Sequence, residues 1–501
     1  MNAVPANNVG QHLCAEAPVL LYPKCSVRVM AHHCRCSAPI PLSSLTERGD
    51  WSIPCAKTIP KDCSLICRQP FKAMKKRLVL IKPPEISRFN FGTFSLAVLA
   101  AAVRHIADVT LIDATSLTCD EAIKKVLDES PDIVGITVMS QESVKSACSF
   151  VSSLKTDTEN TPAQPTIIAG GHGASMNPEP LLAAGASAIV YGEGEKTLLQ
   201  VIENGIVPGT KGIICYGNSG TIKGKPQQPV LPLDCLEKPA RDLMPDPEGV
   251  FLLETSRGCP HSCKFCETTR FSGKRWRPFS PSRVVGEIRE LVEEYGAWII
   301  HLADDNFAAD PERVLNICKE LQKGPLPAII LASARADDLL AHPSLLKEMS
   351  DARIRRITVG IETLDPSAAK KAGKAISLDT YREVFRKMRA YDIFSIASFI
   401  VGLPGETPVA RQKNIAFALF AAPDTAHFLP FLPLPGTPYA KGRTIGLPDP
   451  EDVRDSAVFN NTFRKHHTTV TRLKRAVGKG GIRGLFAEKV LQKSKEHIPY
   501  P

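Results

Sequence analysis

The chain has 501 residues, of which 43% are hydrophobic and 23% charged. At roughly 150 residues per domain this predicts two or three domains, each able to bury a core, and the apolar share excludes a wholly disordered chain. The formal charge of +10 is dilute over this length, with 11 Lys and Arg against 5 Asp and Glu from Glu451 onward.

Residues 1–73 show no sustained helical or alternating period, and Pro, Cys and Ser interrupt them throughout; an extension without stable structure is expected. Seven of the fifteen cysteines fall there: Cys14, Cys25, Cys34, Cys36, Cys55, Cys63 and Cys67. The start lacks the basic stretch, apolar core and small-residue cleavage site of a secretory signal. Without export, disulfides are not expected, which places the chain in a reducing cytoplasm. His32, His33, Cys34 and Cys36 lack a second ligand pair at the usual zinc spacing, and Cys63 and Cys67 stand apart. Lys75-Lys76-Arg77 then leads into an apolar strand, so Met74 is the expected start of the first domain.

From Arg77 to about Tyr216, short β-rich runs alternate with helical stretches. The strands are Leu78 to Ile81, Val109 to Asp113, Ile133 to Val138, Thr166 to Ala169 and Ala188 to Val190. Helices are expected over Ser95 to His105, Cys119 to Asp128 and Glu142 to Leu154. Buried strands alternating with helices imply a doubly wound parallel sheet covered on both faces. Gly170-Gly171-His172-Gly173 and Tyr191-Gly192-Glu193-Gly194-Glu195 follow strands. In such sheets ligands bind beyond the carboxyl ends, although tight turns explain glycine loops equally well. The longest apolar run, Phe94 to Val103, is half of what a membrane span needs, roughly 20 residues.

A linker rich in Pro, Gly and Lys is expected over 217–246. The second block, 247–440, has strands at Phe251 to Thr255, Trp298 to Leu302, Ile329 to Ser333, Ile357 to Gly360, Ser395 to Val401 and His427 to Phe431. Amphipathic helices such as Pro281 to Tyr295 and Pro311 to Lys323 separate them. Six strand–helix units predict a partial (β/α)6 barrel with its site at the carboxyl ends of the strands. Residues 441–501 read as a basic helical region. Its charge means either contact with phosphates or an anionic membrane, or a solvated face around Arg472, Lys474 and Arg475.

Gly258-Cys259-Pro260-His261-Ser262-Cys263-Lys264-Phe265-Cys266 begins directly after the first barrel strand. Three cysteines at these gaps can each give a thiolate to one iron of a cluster, and the missing fourth cysteine leaves one iron open to another ligand. A zinc site is the alternative, with His261 as fourth ligand. The pattern resembles the signature of the radical S-adenosylmethionine (SAM) enzymes, including the aromatic Phe265 before the third cysteine. Segments at later strand ends resemble the same family in order: His301 to Phe307, Ser333 to Asp337, Val359 to Asp365, Phe399 to Thr407 and Phe431 to Pro438. The first block is similar to the cobalamin (B12)-binding domain that precedes many such barrels. That likeness rests on Val134 to Ser140, Ala169 to His172 and Tyr191 to Glu195. It departs at Pro83 to Phe89, where no Asp-x-His-x-x-Gly supplies an axial histidine.

The resemblance implies a 4Fe-4S cluster on Cys259, Cys263 and Cys266. The cluster's open iron would bind SAM and cleave it reductively to a 5′-deoxyadenosyl radical. Phe265, Arg335 and Glu362 would contact SAM; Ser140, Gly170, Gly171, Gly192, Glu193 and Gly194 would line cobalamin. Read from the residues alone, Arg335 and Asp337 could instead pair, and Glu362 could cap the next helix. Asp304 and Asp305 read equally as ligand contacts or helix caps. With cobalamin, the implied reaction is C-methylation of an unactivated carbon; a radical cyclase or another rearrangement with a vestigial cobalamin domain is the rival. A non-enzymatic cobalamin sensor or adaptor is the second rival. The implied partners are a small-molecule, lipid, tetrapyrrole or peptide substrate and an electron donor such as flavodoxin or ferredoxin. Tyr439, His427 and the segment after Pro450 would border the substrate. Nucleic acid is not an expected partner, because the cluster cysteines a transfer-RNA methylthiotransferase carries in its amino-terminal domain are missing.

Overall fold

Two runs of short apolar strands, separated by amphipathic helices, build two parallel sheets in series. The computed structural model describes residues 75–85, 92–159, 164–218, 220–245, 248–443 and 445–493. The chain divides into units Met1–Lys72 and Ala73–Pro501; everything below belongs to the second. The expected extension, the groups at His32 to Cys36 and Cys63 to Cys67, and Met74 lie outside the described residues.

The first sheet comprises β1 (Lys76–Lys82), β2 (Ala107–Asp113), β3 (Ile133–Thr137), β4 (Thr166–Gly170), β5 (Ala188–Val190), β6 (Ile213–Gly217) and β7 (Gly220–Lys223), in the order β2-β1-β3-β4-β5-β6-β7. Strands β1 to β5 pair in parallel. Alternate residues serve opposite cores. Val79, Ile81, Val134 and Ile136 pack with Phe150 and Leu154 on one face. Leu78, Leu80, Ile168 and Val190 pack with Leu96 and Leu198 on the other. The sequence reading is corrected at the far edge, where β6 and β7 add an antiparallel hairpin. The hairpin takes up the first residues expected as linker. Its polar, mostly exposed second strand, Gly-Thr-Ile-Lys, carries too little apolar period to be recognised alone. The order reverses between β1 and β3, the switch point at which such sheets open a crevice.

The second sheet is an open arc of six parallel strands: β8 (Val250–Leu253), β11 (Ile299–Leu302), β12 (Ile329–Ala334), β13 (Ile354–Glu362), β14 (Phe394–Val401) and β15 (Thr425–Pro430). A two-residue ribbon of β9 (Ser256–Arg257) and β10 (Arg277–Pro278) stands beside it. Its convex face and the surrounding helices share one large core, including Phe251, Ile300, Ile330, Ile357, Phe399 and Phe428. The concave face is met from below by the carboxyl-terminal helices: Phe486 packs with Leu331 and with Phe394. Lys474 and Arg475 are exposed as expected for a solvated face, whereas Arg472 turns inward to the Pro423 carbonyl. No helix among the described residues is long and apolar enough to cross a membrane.

The carboxyl ends of the two sheets meet across a seam. Glu193 accepts two hydrogen bonds from Arg277, and Arg257 reaches Glu195 at 2.8 Å and Glu193 at 3.4 Å. The His172 ring stacks on Phe271, with centroids 3.7 Å apart. Burial holds His172 neutral, with a pKa lowered to about 4. A histidine whose folded pKa is depressed gives stability that is present above the unfolded pKa of about 6.5 and lost as pH falls towards the folded value. Unfolding of the full chain should therefore become easier between pH 6.5 and 4, with His172 contributing about 1 kcal/mol per pH unit. His172→Phe, which keeps the stack and removes the titration, should flatten that slope in urea melts.

Candidate functional site

The cysteine loop leaves the barrel through Gly258. Its φ is +83°, and a Cβ there would lie 2.1 Å from the Arg275 carbonyl oxygen, so no other residue fits this turn. The loop is then held on the segment after helix Pro366–Ala372. Lys264 N donates to the Ala372 carbonyl at 2.9 Å, and Cys263 Sγ lies 4.0 Å from the Gly373 carbonyl. Cys259, Cys263 and Cys266 are all free thiols. Burial pushes each thiol up, Cys259 to about 11. The cations Lys374 and Arg335 pull Cys263 back down, and hydrogen bonds from Thr268 do so at Cys266. A bound metal removes such protons outright.

His261 does not serve the loop as a ligand: its Nε2 lies 3.0 Å from Asp338 Oδ2, which also accepts from Asn306 at 2.6 Å. Among the described residues, no three His, Cys, Asp or Glu side chains gather to hold one metal ion. A cubane does not ask for that convergence, because each thiolate takes its own iron. The donor set is three soft thiols with the neighbouring histidine turned away, which fits a four-iron cluster with one open iron.

Around Cys263 the structure gathers the residues expected to meet SAM and one the sequence did not reveal. Arg335 grips Asp337 through Nε at 3.0 Å and Nη2 at 2.7 Å, and its third nitrogen points to Cys263 Sγ at 3.7 Å. The pairing of Arg335 with Asp337 is thus present, together with an approach to the cluster loop. Glu362 is not a helix cap; Asp365 caps the next helix by accepting from Ser367 N and Ala368 N. Glu362 sits at φ +69°, and its carboxylate takes 2.7 Å from Lys374 Nζ, a pair almost closed to solvent. Lys374 follows the glycine that ends a short helix, a place no motif marks. Phe265 packs among Ile400, Leu403, Phe431 and Tyr439. Asp304 is neither a ligand contact nor a cap. It accepts from Thr255 N, Thr255 Oγ1 and Ser256 Oγ at 2.6 to 2.7 Å, pinning β8 to β11. Asp305 accepts from Thr268 and faces the cavity described next.

A cavity of about 470 Å³ lies at the switch point of the first sheet and runs to the mouth of the barrel. Gly135 and Thr137 of β3 line it beside Leu80 and Lys82 of β1, and Gly258, Thr268 and Asp305 close it from the barrel side. Ser140, Gly170, Gly171, Gly192, Glu193 and Gly194 all face it. Gly192, at φ +79°, has no atom within 4 Å of where a Cβ would stand, so bare backbone is presented there. Glu193 has its carboxylate engaged by Arg277 and Arg257 across the seam. At the end of β1, where an axial histidine is absent, Lys82 and Glu85 form a buried ion pair at 3.2 Å. The crevice joins a nucleotide-type sheet to the cysteine loop, which suits a large planar cofactor with a nucleotide tail. The seam residues Arg257, Arg277 and Phe271, and the stacking role of His172, escaped the sequence reading because their partners are distant in the chain.

Comparison with known proteins agrees with this geometry. The B12 binding domain family matches residues 87–202, and the radical SAM superfamily matches residues 253–418. The uncharacterized methyltransferase PH0819 of Pyrococcus horikoshii is 31% identical over 389 residues, covering 73% of this chain and 82% of that protein. The anaerobic magnesium-protoporphyrin IX monomethyl ester cyclase of Rubrivivax gelatinosus is 26% identical over 66% of this chain, which spans 61% of that enzyme's length. Among solved structures, the radical SAM methyltransferase TsrM from Kitasatospora setae, with tryptophan and a SAM analog bound, superposes with a TM-score of 0.62. It is 20% identical, over 71% of this chain and 73% of its own. The chain belongs to the radical SAM superfamily, as an enzyme whose barrel follows a B12-binding domain.

Proposed function

We propose that the protein is a cobalamin-dependent radical SAM enzyme that C-methylates an unactivated carbon of its substrate. The observation that carries this reading is the single cavity that begins at the glycine loops of the first sheet and ends at Gly258 and Thr268, on either side of the three cysteines. Bound in these places, the 4Fe-4S cluster and cobalamin would supply reductive cleavage of SAM and a transferable methyl group.

The chain's own residues then have assignable tasks. Cys259, Cys263 and Cys266 would hold the cluster, with Arg335 and Lys374 favouring the thiolate of Cys263. The α-amino-acid end of SAM is a zwitterion. The ion pairs Arg335–Asp337 and Lys374–Glu362 offer one cation and one anion on each side of Cys263. Phe265, backed by Phe431 and Tyr439, would lie against the adenine and keep water from a radical. Ser140, Gly170, Gly171, Gly192 and Gly194 would line the corrin edge and nucleotide tail, and Glu193 would keep the two domains closed on it.

The test is to purify the full chain anaerobically, rebuild its cluster, add hydroxocobalamin and read the visible spectrum after gel filtration. Corrin bands co-eluting near one per chain are expected. An iron–sulfur spectrum without retained corrin would overturn the methylation reading in favour of another radical reaction. Replacing Lys374 by Met should weaken SAM binding to the reconstituted protein at least tenfold in equilibrium dialysis, about 1.4 kcal/mol. Lys374→Arg should retain most of the affinity; equal affinities in all three proteins would remove Lys374 from the site.

A further inference from the structure

Along β13, Ile357, Val359 and Ile361 belong to the convex core, so the alternate residues Arg356, Thr358, Gly360 and Glu362 face the concave side. Glu362 is at the upper end, beside the cysteine loop. Arg356 is six residues lower, roughly 20 Å at about 3.3 Å per residue. In the register of the sheet, Leu331 stands between His301 and Arg356, so these three occupy one cross-strand level. Ser333 pairs with Thr358 one level up, and Ser398 with Gly360 above that.

The lower level is closed by helix Gly481–Lys493, whose Phe486 ring centre lies 5.7 Å from the Arg356 guanidinium carbon. The Arg356 side chain makes no hydrogen bond or ion pair among the described residues, and its Nε is buried without a partner. Burial alone lowers its pKa; no carboxylate acts on it. His301 is held neutral, at about 4, by burial and by the charge of Arg356. The hydroxyls of Ser333, Thr358 and Ser398 also lack hydrogen-bond partners among the described residues. An uncompensated cation in a poorly solvated place is costly, and folded chains usually supply an anion. Among the described residues the wall supplies none, and a line of hydroxyls without partners among them leads from the cation towards Glu362.

We propose that Arg356, with His301 beside it, anchors an anionic group of the substrate on the floor of the barrel, so that the substrate extends along Ser333, Thr358 and Ser398 to the reaction centre. This rests on the reading that the substrate reacts at the barrel mouth, and it deepens that reading by naming the substrate class: an elongated molecule ending in a carboxylate or phosphate. The planar guanidinium fork matches either anion.

The test uses three probes with one tail, dodecanoate, dodecyl phosphate and dodecanamide, titrated calorimetrically into the full reconstituted chain. At least one anion is expected to bind tenfold or more tighter than the amide, and the tighter anion identifies the group. Arg356→Gln should abolish the preference, and Arg356→Lys should keep part of it. The proposal is overturned if the wild-type chain shows no preference, whether all three probes bind or none does, or if Arg356→Gln leaves the preference intact. The wild-type comparison stands even if a variant fails to fold. Retained corrin and reductive cleavage of SAM are read on the same wild-type sample. Their absence would overturn the functional reading while leaving the anion preference as a separate result.

Discussion

The arrangement depends on two parallel sheets being held with their carboxyl ends facing one another. Loops at carboxyl ends are where such sheets bind ligands, so a site made from both must oppose the two edges across a fixed gap. Arg257 sets that gap. It stands just before the glycine that opens the cysteine loop, and it pairs with Glu193 and Glu195 from the other sheet and Glu254 from its own barrel. A displacement of the first domain would therefore pull on the residues that lead into Cys259. The position of the cysteine loop is mechanically tied to that of the loop after β5.

The electrostatics of this seam favour placement over stability. Glu193, Glu195 and Glu254 outnumber Arg257 and Arg277, and desolvation pushes the Glu254 carboxyl up to about 7 even beside Arg257. Buried ion pairs of this kind recover little net free energy, because removing the charges from water costs nearly what their attraction returns. They do penalise every arrangement that leaves one partner alone. A hydrophobic seam would have allowed the domains to slide; fixed charges, each with named partners, select one register. The His172–Phe271 stack and the Gln141 amide, which donates to Glu267 Oε1 at 3.5 Å, add short-range fit to the same choice.

What the sequence disclosed follows from the range of each interaction. The strands were legible because buried parallel strands are nearly continuous apolar runs, as Ile133 to Val138 and Ser395 to Val401 are. The cysteine loop was legible because all three thiols and Phe265 lie within eight residues. The cavity residues Ser140, Gly170, Gly171, Gly192 and Gly194 were named through the likeness to cobalamin-binding domains, since glycine loops after strands read equally as tight turns. Lys374 was not, since nothing local marks a lysine whose partner is twelve residues back on a neighbouring strand end. Nor was the hairpin of β6 and β7, or the place where a helix of the basic carboxyl-terminal region docks to close the barrel floor; both are determined by the surface they cover. Asp304 shows the same limit: a carboxylate after a strand reads as ligand or cap, and only the fold reveals three donors from Thr255 and Ser256 around it.

Glu362 shows how strain is placed at the centre of this site. A left-handed backbone at a non-glycine residue costs on the order of 1 kcal/mol and persists only where the surroundings enforce it. Here the strand register slips between Gly360 and Glu362, and the Lys374 ammonium holds the carboxylate from the side. Gly360 makes the arrangement possible: a Cβ at that position would stand 2.3 Å from Glu362 Oε1 and 2.6 Å from Lys374 Nζ. The slip turns the end of β13 so that Glu362 meets the segment packed on the cysteine loop. A regular strand would pair with its neighbours more fully and leave this carboxylate out of register with Cys263. The fold gives up local regularity at one residue and gains a charged pair beside Cys263.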